Sequence, residues 1–68
     1  MAQDLWQIRR RKQMTIEELA QRAGIHPTLI KAYELGQRPI AERDMEKLAR
    51  ALLVETWDIN EMSDPPPR

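Results

Sequence analysis

Apolar residues recur at helical spacing in several short stretches of this chain. In the clearest of them, Met45, Leu48, Ala49 and Leu52 repeat at i, i+3, i+4 and i+7, which places all four on one face of a helix. The other stretches are shorter, and each carries two or three apolar residues on one face. The pattern predicts helices over about residues 4–12, 16–23, 27–35, 41–53 and 56–61.

The boundaries of the second and third helices have local signals of their own. Thr15 is followed three residues later by Glu18, the capping-box arrangement that begins a helix. Gly24 ends that helix because glycine tolerates a left-handed backbone, and Pro27 suits the first turn of the next helix because it has no N–H to leave unpaired. Gly36 then ends the third helix. The sequence therefore predicts two short helices joined by a tight turn.

Two such helices fit either a helix-turn-helix unit or a plain helical hairpin. Ala20 is small at the place where the two helices must cross closely, and Gly24 with Ile25 sets the angle between them. These two features favour the helix-turn-helix, a unit whose second helix enters the major groove of DNA.

A longer set of residues carries a resemblance to a known family. Its members are Leu5, Ile8, Arg9, Met14, Thr15, Glu18, Leu19, Ala20, Gly24, Ile25, Ile30, Glu34, Gly36, Arg38, Leu48, Ala49, Ala51 and Leu52. Between Leu5 and Ile59 the chain resembles the phage-repressor and Cro-like helix-turn-helix family, also called the xenobiotic-response-element (XRE) family. The resemblance implies an all-α, compact five-helix DNA-binding domain of the lambda-repressor type. It also implies a sequence-specific transcriptional regulator of double-stranded DNA, with the third helix in the major groove and the second helix's N-terminus against the backbone.

The resemblance also assigns DNA contacts to particular positions. They are Thr15, Ile16, His26, Thr28, Leu29, Lys31, Ala32, Gln37 and Arg38. Family members often carry polar side chains at the positions of Ile16, Pro27 and Ala32, so three hydrogen-bonding groups that would read bases are missing here. Thr28 and Lys31 remain able to bond base edges. Non-specific DNA binding is therefore an alternative to sequence-specific binding.

The other charged residues are predicted to have one of two roles, which are to hold the fold together or to bind phosphate. Arg9 and Glu34 match a family pair that forms a salt bridge beneath the motif, which assigns them to structure. Thr15 and the unpaired N–H groups at the start of the second helix form a natural phosphate site. Arg38 is either a further phosphate contact or a solvated loop charge, and the same two interpretations hold for the basic run at residues 10–12.

Net charge is zero, with eleven basic and eleven acidic residues, but these charges are unevenly distributed. Residues 1–38 hold seven basic and four acidic residues, a balance of +3, and the remainder has the opposite balance of −3. Such a polarised molecule would present its N-terminal half to phosphates and direct its C-terminal half away from them. The alternative is that these charges are ordinary solvated helix faces.

Sixty-eight residues predict a single domain at residues 1–62, followed by a flexible proline-rich tail at residues 63–68. The chain has no cysteine, no stretch apolar enough to span a membrane and no signal peptide, which together predict a cytoplasmic protein. His26 is the only histidine, and nothing resembles a metal-ligand pair, a phosphate-cradling glycine loop or a nucleophile elbow. We therefore predict that the protein is not an enzyme and uses no cofactor or metal.

Apolar residues in the helix-turn-helix raise the question of protein partners. Ile16, Leu29 and Leu35 would form an apolar cluster on an outer face where DNA-binding proteins tend to be polar. Exposed apolar clusters often mark a protein partner. A protein-interaction module built on the same fold is therefore the main alternative function.

A homodimer is also expected, because a single recognition helix buries little DNA surface and pairing on half-sites is the usual remedy. Trp57, Ile59 and Met62 would either form the dimer contact or close the core of the monomer, and for Trp57 the core is the prediction. Leu53 stands where the family commonly has glycine, so the turn after the fourth helix is expected to differ.

Overall fold

Four α-helices and one 3₁₀ turn make up the described part of the chain. The computed structural model describes residues 2–67 of the chain. The elements are α1 (Leu5–Arg11), α2 (Ile16–Ala23), α3 (Pro27–Glu34), α4 (Glu42–Leu52) and the 3₁₀ turn (Thr56–Asp58). The described residues form no strand beyond one isolated bridge, and the predicted all-α class is confirmed.

The fifth helix predicted at residues 56–61 is reduced to that single 3₁₀ turn. After it the backbone becomes extended, with φ −111° and ψ 125° at Ile59. Ile59 pairs with Gln3 in a parallel bridge, in which the Gln3 N–H donates to the Asp58 carbonyl at 2.9 Å and the Asn60 N–H donates to the Gln3 carbonyl at 2.9 Å. The helix stops early because these backbone groups bond to residue 3 instead of to the preceding turn.

The caps of α2 and α3 follow from local chemistry. The Thr15 hydroxyl accepts a hydrogen bond from the Glu18 N–H at 3.0 Å, and the Glu18 carboxylate accepts one from the Thr15 N–H at 3.3 Å. Gly24 has φ +69°, the left-handed conformation that ends α2. At the start of α3, His26 Nδ1 accepts from the Thr28 N–H at 3.2 Å. These bonds fix where α2 begins and where α3 follows it.

The core contains side chains from all four helices. Its fully buried large side chains are Leu5, Ile8, Leu19, Ile30, Tyr33, Leu48 and Leu52. α2 packs against both α3 and α4, and the small side chains of Ala20 and Ala23 are buried there. Burial of each large apolar side chain stabilises the fold by about 1.5–3 kcal/mol. The core therefore holds α3 by one face and leaves the other face free.

Asp4 joins the two ends of the described chain. Its carboxylate accepts hydrogen bonds from the Asn60 side chain at 2.8 Å and from the Asp64 N–H at 3.3 Å. The Leu5 N–H donates to the Ser63 hydroxyl at 3.4 Å. Ser63 is only 4% exposed. The structure differs here from the flexible tail predicted to begin at residue 63, because residues 63 and 64 bond to the start of α1. We refer to residues 59–64 as the C-terminal segment.

Trp6 and Gly36 also contact the C-terminal segment. The indole N–H of Trp6 donates to the Asp64 carbonyl at 2.8 Å, and the Arg10 guanidinium lies 5.0 Å from the centroid of the Trp6 ring. Gly36 has φ +70° and lies so close to the carbonyl oxygen of Ser63 that a Cβ atom there would overlap with it. Gly36 is therefore needed both for the turn after α3 and for the approach of the C-terminal segment.

The turn after α4 keeps a left-handed residue although glycine is absent. Leu53 takes φ +59°, and its side chain is 85% exposed. A left-handed conformation costs a non-glycine residue about 1–2 kcal/mol. The chain therefore retains the geometry that glycine would supply, with local strain at Leu53.

Candidate nucleic-acid interface

α3 buries one face and exposes the other. Ile30, Tyr33 and Glu34 are buried, whereas Thr28 and Lys31 are exposed. Of the predicted DNA contacts, the exposed ones are Thr15, His26, Thr28, Lys31, Gln37 and Arg38, and the half-buried ones are Ile16, Leu29 and Ala32. All nine therefore reach the surface. They lie on α3 and its N-cap, at the start of α2 and in the loop after α3.

A shallow cleft, which we call the α2-side cleft, lies between α3 and the N-terminus of α2. It is lined by Ile16, Glu17, Pro27, Thr28 and Lys31. The N–H groups of Ile16 and Glu17, in the first turn of α2, have no acceptor within the helix and can donate to an anion, whereas the Glu18 N–H already donates to the Thr15 hydroxyl. Lys31 brings a positive charge to this cleft and Glu17 a negative one.

A bidentate ion pair fixes the C-terminal end of α3 against α1. Arg9 Nε donates to Glu34 Oε2 at 2.6 Å, and a terminal nitrogen of the same guanidinium donates to Glu34 Oε1 at 2.9 Å. A third bond joins Arg9 to the Met14 carbonyl at 2.8 Å. The hydrogen bond to Glu34 raises the pKa of Arg9, and burial acts in the opposite direction. The two residues that the resemblance assigns to structure thus lie beneath the exposed face of α3.

A second buried bond fixes α3 against α4. The Tyr33 hydroxyl donates to Asp44 Oδ2 at 2.6 Å, and the Ala41 N–H donates to the same hydroxyl at 3.5 Å. Asp44 is not among the residues predicted from the sequence, although a signal exists for it. It lies four residues before Leu48, on the buried stripe of α4, where a carboxylate needs a partner.

Tyr33 is expected to titrate above the ordinary range of tyrosine. Burial raises its pKa from the usual 10.0, and the hydrogen bond to Asp44 raises it further. The unfolded chain ionises first, so this contribution to stability is fully present below about pH 10 and is lost as the pH rises through the folded-state pKa. Tyr33 is the only tyrosine, so phenolate absorbance in an alkaline titration measures it directly. A folded-state midpoint at or below that of the denatured chain would contradict the prediction.

The predicted apolar cluster on the outer face does not form as expected. Ile16 and Leu29 are half-buried and pack against the core, and of the three only Leu35, at 36% exposure, is exposed. The other exposed large apolar side chains among residues 2–67 lie in the C-terminal part of the chain. They are Leu53, Trp57 and Met62.

The prediction that Trp57 closes the core is wrong, because its side chain is 73% exposed. Ile59 occupies the core instead and is 4% exposed. The physical reason is the short 3₁₀ turn: the backbone becomes extended at Ile59, which turns inward while Trp57 stays outside. Ile59 is therefore not available for the predicted dimer contact, whereas Trp57 and Met62 are.

Two features are absent from residues 2–67. None of the helices is long and apolar enough to cross a membrane. No group of three or more potential metal-ligating side chains occurs in this part of the chain.

The molecule is a helix-turn-helix domain. α2 and α3 are joined by the turn at Gly24, and α1 and α4 support this pair. Residues 7–56 match the family model HTH_3, described as helix-turn-helix. Because this match covers most of the chain, the protein belongs to that family of Cro/C1-type, XRE-like DNA-binding domains, as the resemblance in the sequence predicts. Comparisons with curated proteins and with solved structures gave no match.

Proposed function

We propose that this protein is a transcriptional regulator that binds double-stranded DNA sequence-specifically by inserting α3 into the major groove. The observation that carries the proposal is the way α3 is anchored. Tyr33 and Glu34 are bonded to α4 and α1 on its inner face, while Thr28 and Lys31 project from its outer face. A helix held in this way presents its outer side chains in a fixed arrangement, which base recognition requires.

The side chains of this surface have separate roles in the proposal. The Thr28 hydroxyl bonds a base edge, Leu29 packs on a thymine methyl group, and Lys31 bonds guanine or a phosphate. Thr15, with the N–H groups of Ile16 and Glu17, contacts the DNA backbone at the start of α2, and Arg38 contacts it after α3. Because few of these groups read bases, we expect a short or degenerate recognition sequence.

The first test is selection of bound duplexes from a random DNA pool at low and at physiological salt. An enriched sequence is the expected result, and an inverted repeat would indicate two copies on half-sites. Retention at low salt without enrichment would mean phosphate binding only. No retention at either salt would reject the proposal.

Substitution of Lys31 tests whether α3 reads the selected sequence. Lys31→Ala is expected to weaken binding by about 1–3 kcal/mol and to relax the preference at one base position if Lys31 bonds a base edge. Arg50→Ala is the control, since Arg50 is an exposed basic residue of α4 that lines a different cleft with Val54 and Glu55. A uniform loss across sequences after Lys31→Ala would instead assign Lys31 to a phosphate.

A protein partner, and in particular a second copy of the chain, is a second proposal. It is supported by the exposure of Leu53, Trp57 and Met62, at 85%, 73% and 52%. Aromatic side chains and methionine are enriched in protein–protein interfaces. Sedimentation of the wild type and of Trp57→Ala, free and with DNA, tests it. A monomer under both conditions would leave the homodimer without support.

A further inference from the structure

A groove with acidic and apolar walls lies between the start of α4 and the C-terminal segment, and we call it the acidic groove. Its apolar lining consists of Ile40, Met45 and Trp57, and its charged lining consists of Glu42, Glu46 and Glu61. The Ile40 N–H donates to the Glu61 carbonyl at 2.8 Å, which joins the C-terminal segment to the residues before α4 at this place. Among residues 2–67 no basic side chain lines the groove, so its charge is entirely negative.

The three carboxylates of the acidic groove are not neutralised within the described part of the chain. The one ion pair there joins Arg9 to Glu34, so the glutamates at positions 42, 46 and 61 have no basic partner within ion-pair distance. All three are exposed. Glu42 and Glu46 lie four residues apart on α4, a spacing at which like charges repel and destabilise a helix. A cation bound between them would relieve this repulsion.

Trp57 gives the acidic groove an aromatic surface next to these carboxylates. Its side chain is 73% exposed, and the half-buried Met45 lines the same groove. The face of an indole attracts a guanidinium or ammonium group, and tryptophan does so more strongly than other aromatic residues. A guanidinium also pairs with carboxylates through two parallel N–H groups, and the methylene groups of an arginine side chain pack on apolar surface. The groove therefore fits an arginine whose neighbours are apolar.

We infer that the acidic groove binds a basic, arginine-containing segment of a different protein, with an arginine stacked on Trp57 and paired with the glutamates. Charge complementarity selects this occupant, because an unpaired acidic surface attracts a basic segment and repels nucleic acid. The exposed indole supplies the kind of large, flat anchor that is enriched at the energetic centres of interfaces. The inference does not depend on DNA binding.

A second copy of this chain is a poorer occupant of the acidic groove. The basic run at residues 10–12 is its nearest match, but two of those side chains are engaged within their own chain. The Arg10 guanidinium lies 5.0 Å from the centroid of the Trp6 ring, and Arg11 donates to Gln3 Oε1 at 2.8 Å. The other exposed apolar side chains of the C-terminal part do not line the groove and remain for the proposed contact between copies.

A partner in the acidic groove leaves the outer face of α3 free. Arg43 and Lys47 of α4 line a different cleft beside α3, whereas Glu42 and Glu46 line the groove on another face of the same helix. DNA and the partner are therefore expected to bind at the same time. If α3 binds DNA as proposed, the groove brings a partner protein to the same site.

The experiment selects peptides on the full chain from a random phage-displayed library and measures the dissociation constant of an enriched synthetic peptide. Enriched peptides are expected to carry arginine next to apolar residues. Trp57→Ala is expected to weaken binding by at least about fivefold, and Glu42→Gln and Glu46→Gln by about two- to fivefold each. The substituted positions are exposed, so the variants are expected to fold. No enrichment, or enrichment of peptides without basic residues, would overturn the inference.

Two matched variants change similar side chains outside the groove. Leu53→Ala removes another exposed apolar side chain and Asp64→Asn another exposed carboxylate, and both should leave the dissociation constant unchanged. Equal losses for Asp64→Asn and Glu46→Gln would overturn the inference, because attraction to the net charge would explain them. Sedimentation without peptide is the last control. If Trp57→Ala and Glu46→Gln abolish self-association while no peptide binds, the groove joins two copies and the inference is overturned.

Discussion

Replacement of Gly36 by alanine is expected to lower the free energy of unfolding by roughly 2–4 kcal/mol. Two effects combine at this position. Gly36 has φ +70°, where an L-residue is strained, and the added methyl group would overlap with the carbonyl oxygen of Ser63 and displace the C-terminal segment. A domain of this length has a total stability of roughly 3–10 kcal/mol, so a large part would be lost. Denaturant-induced unfolding measures the change.

Gly24→Ala is the matched control for this prediction. Gly24 has nearly the same backbone conformation, φ +69°, but nothing lies within 4 Å of the position that its Cβ would occupy. Its replacement should therefore cause only the backbone loss of about 1–2 kcal/mol. The difference between the two losses of unfolding free energy measures the cost of overlap with the Ser63 carbonyl at position 36. Equal losses would show that the C-terminal segment does not pack there.

Glu34→Gln is expected to destabilise the fold by about 3–5 kcal/mol, because it leaves the buried Arg9 guanidinium without a negatively charged partner. The two side chains are only 11% and 5% exposed, so water does not replace the lost carboxylate. Arg9 would keep its bond to the Met14 carbonyl, and the new amide oxygen could accept one more bond, but neutral acceptors do not replace the opposite charge. Thermal unfolding of the variant at neutral pH measures the effect.

Removal of both charges distinguishes the effect of an unpaired buried charge from the effect of lost packing. The double variant Arg9→Met with Glu34→Leu replaces the pair with apolar side chains of similar size, and such replacements are often neutral. It is expected to be more stable than Glu34→Gln alone, which a double-mutant comparison detects. If Glu34→Gln changes the stability by less than about 0.5 kcal/mol, as surface substitutions do, the pair is not the buried anchor of α3.

Those parts of the fold that depend on neighbouring residues were predictable from the sequence. Thr15 and Glu18 cap α2 by bonds across three residues, and Gly24 ends it by its own backbone conformation. These interactions need no distant partner, so their residue types alone indicate them. The positions of Thr28 and Lys31 on the outer face of α3 follow from the same helix register.

Features that depend on contacts between distant residues were not predictable. By sequence, Ser63 belongs to a polar, proline-rich tail. Only its contact with the start of α1 shows why it is buried. Trp57 is exposed because Ile59 pairs with Gln3, a residue more than fifty positions away. Arg43 belongs to an acidic half by counting along the chain, and the packing of α4 against the helix-turn-helix places it beside α3. Charge counted along a sequence therefore does not locate charge on a surface.

The bonds of Asp4 to residues 60 and 64 have a consequence for the order in which the protein forms during translation. A ribosome releases α1 first, but the acceptors of this carboxylate remain without their donors until the C-terminal segment has been synthesised. Closing a loop of that length costs entropy that only the assembled core repays. We therefore expect α1 to be sensitive to protease in a stalled nascent chain of which only residues before 59 have left the ribosome, and to be resistant when a C-terminal linker carries residue 64 outside the ribosome.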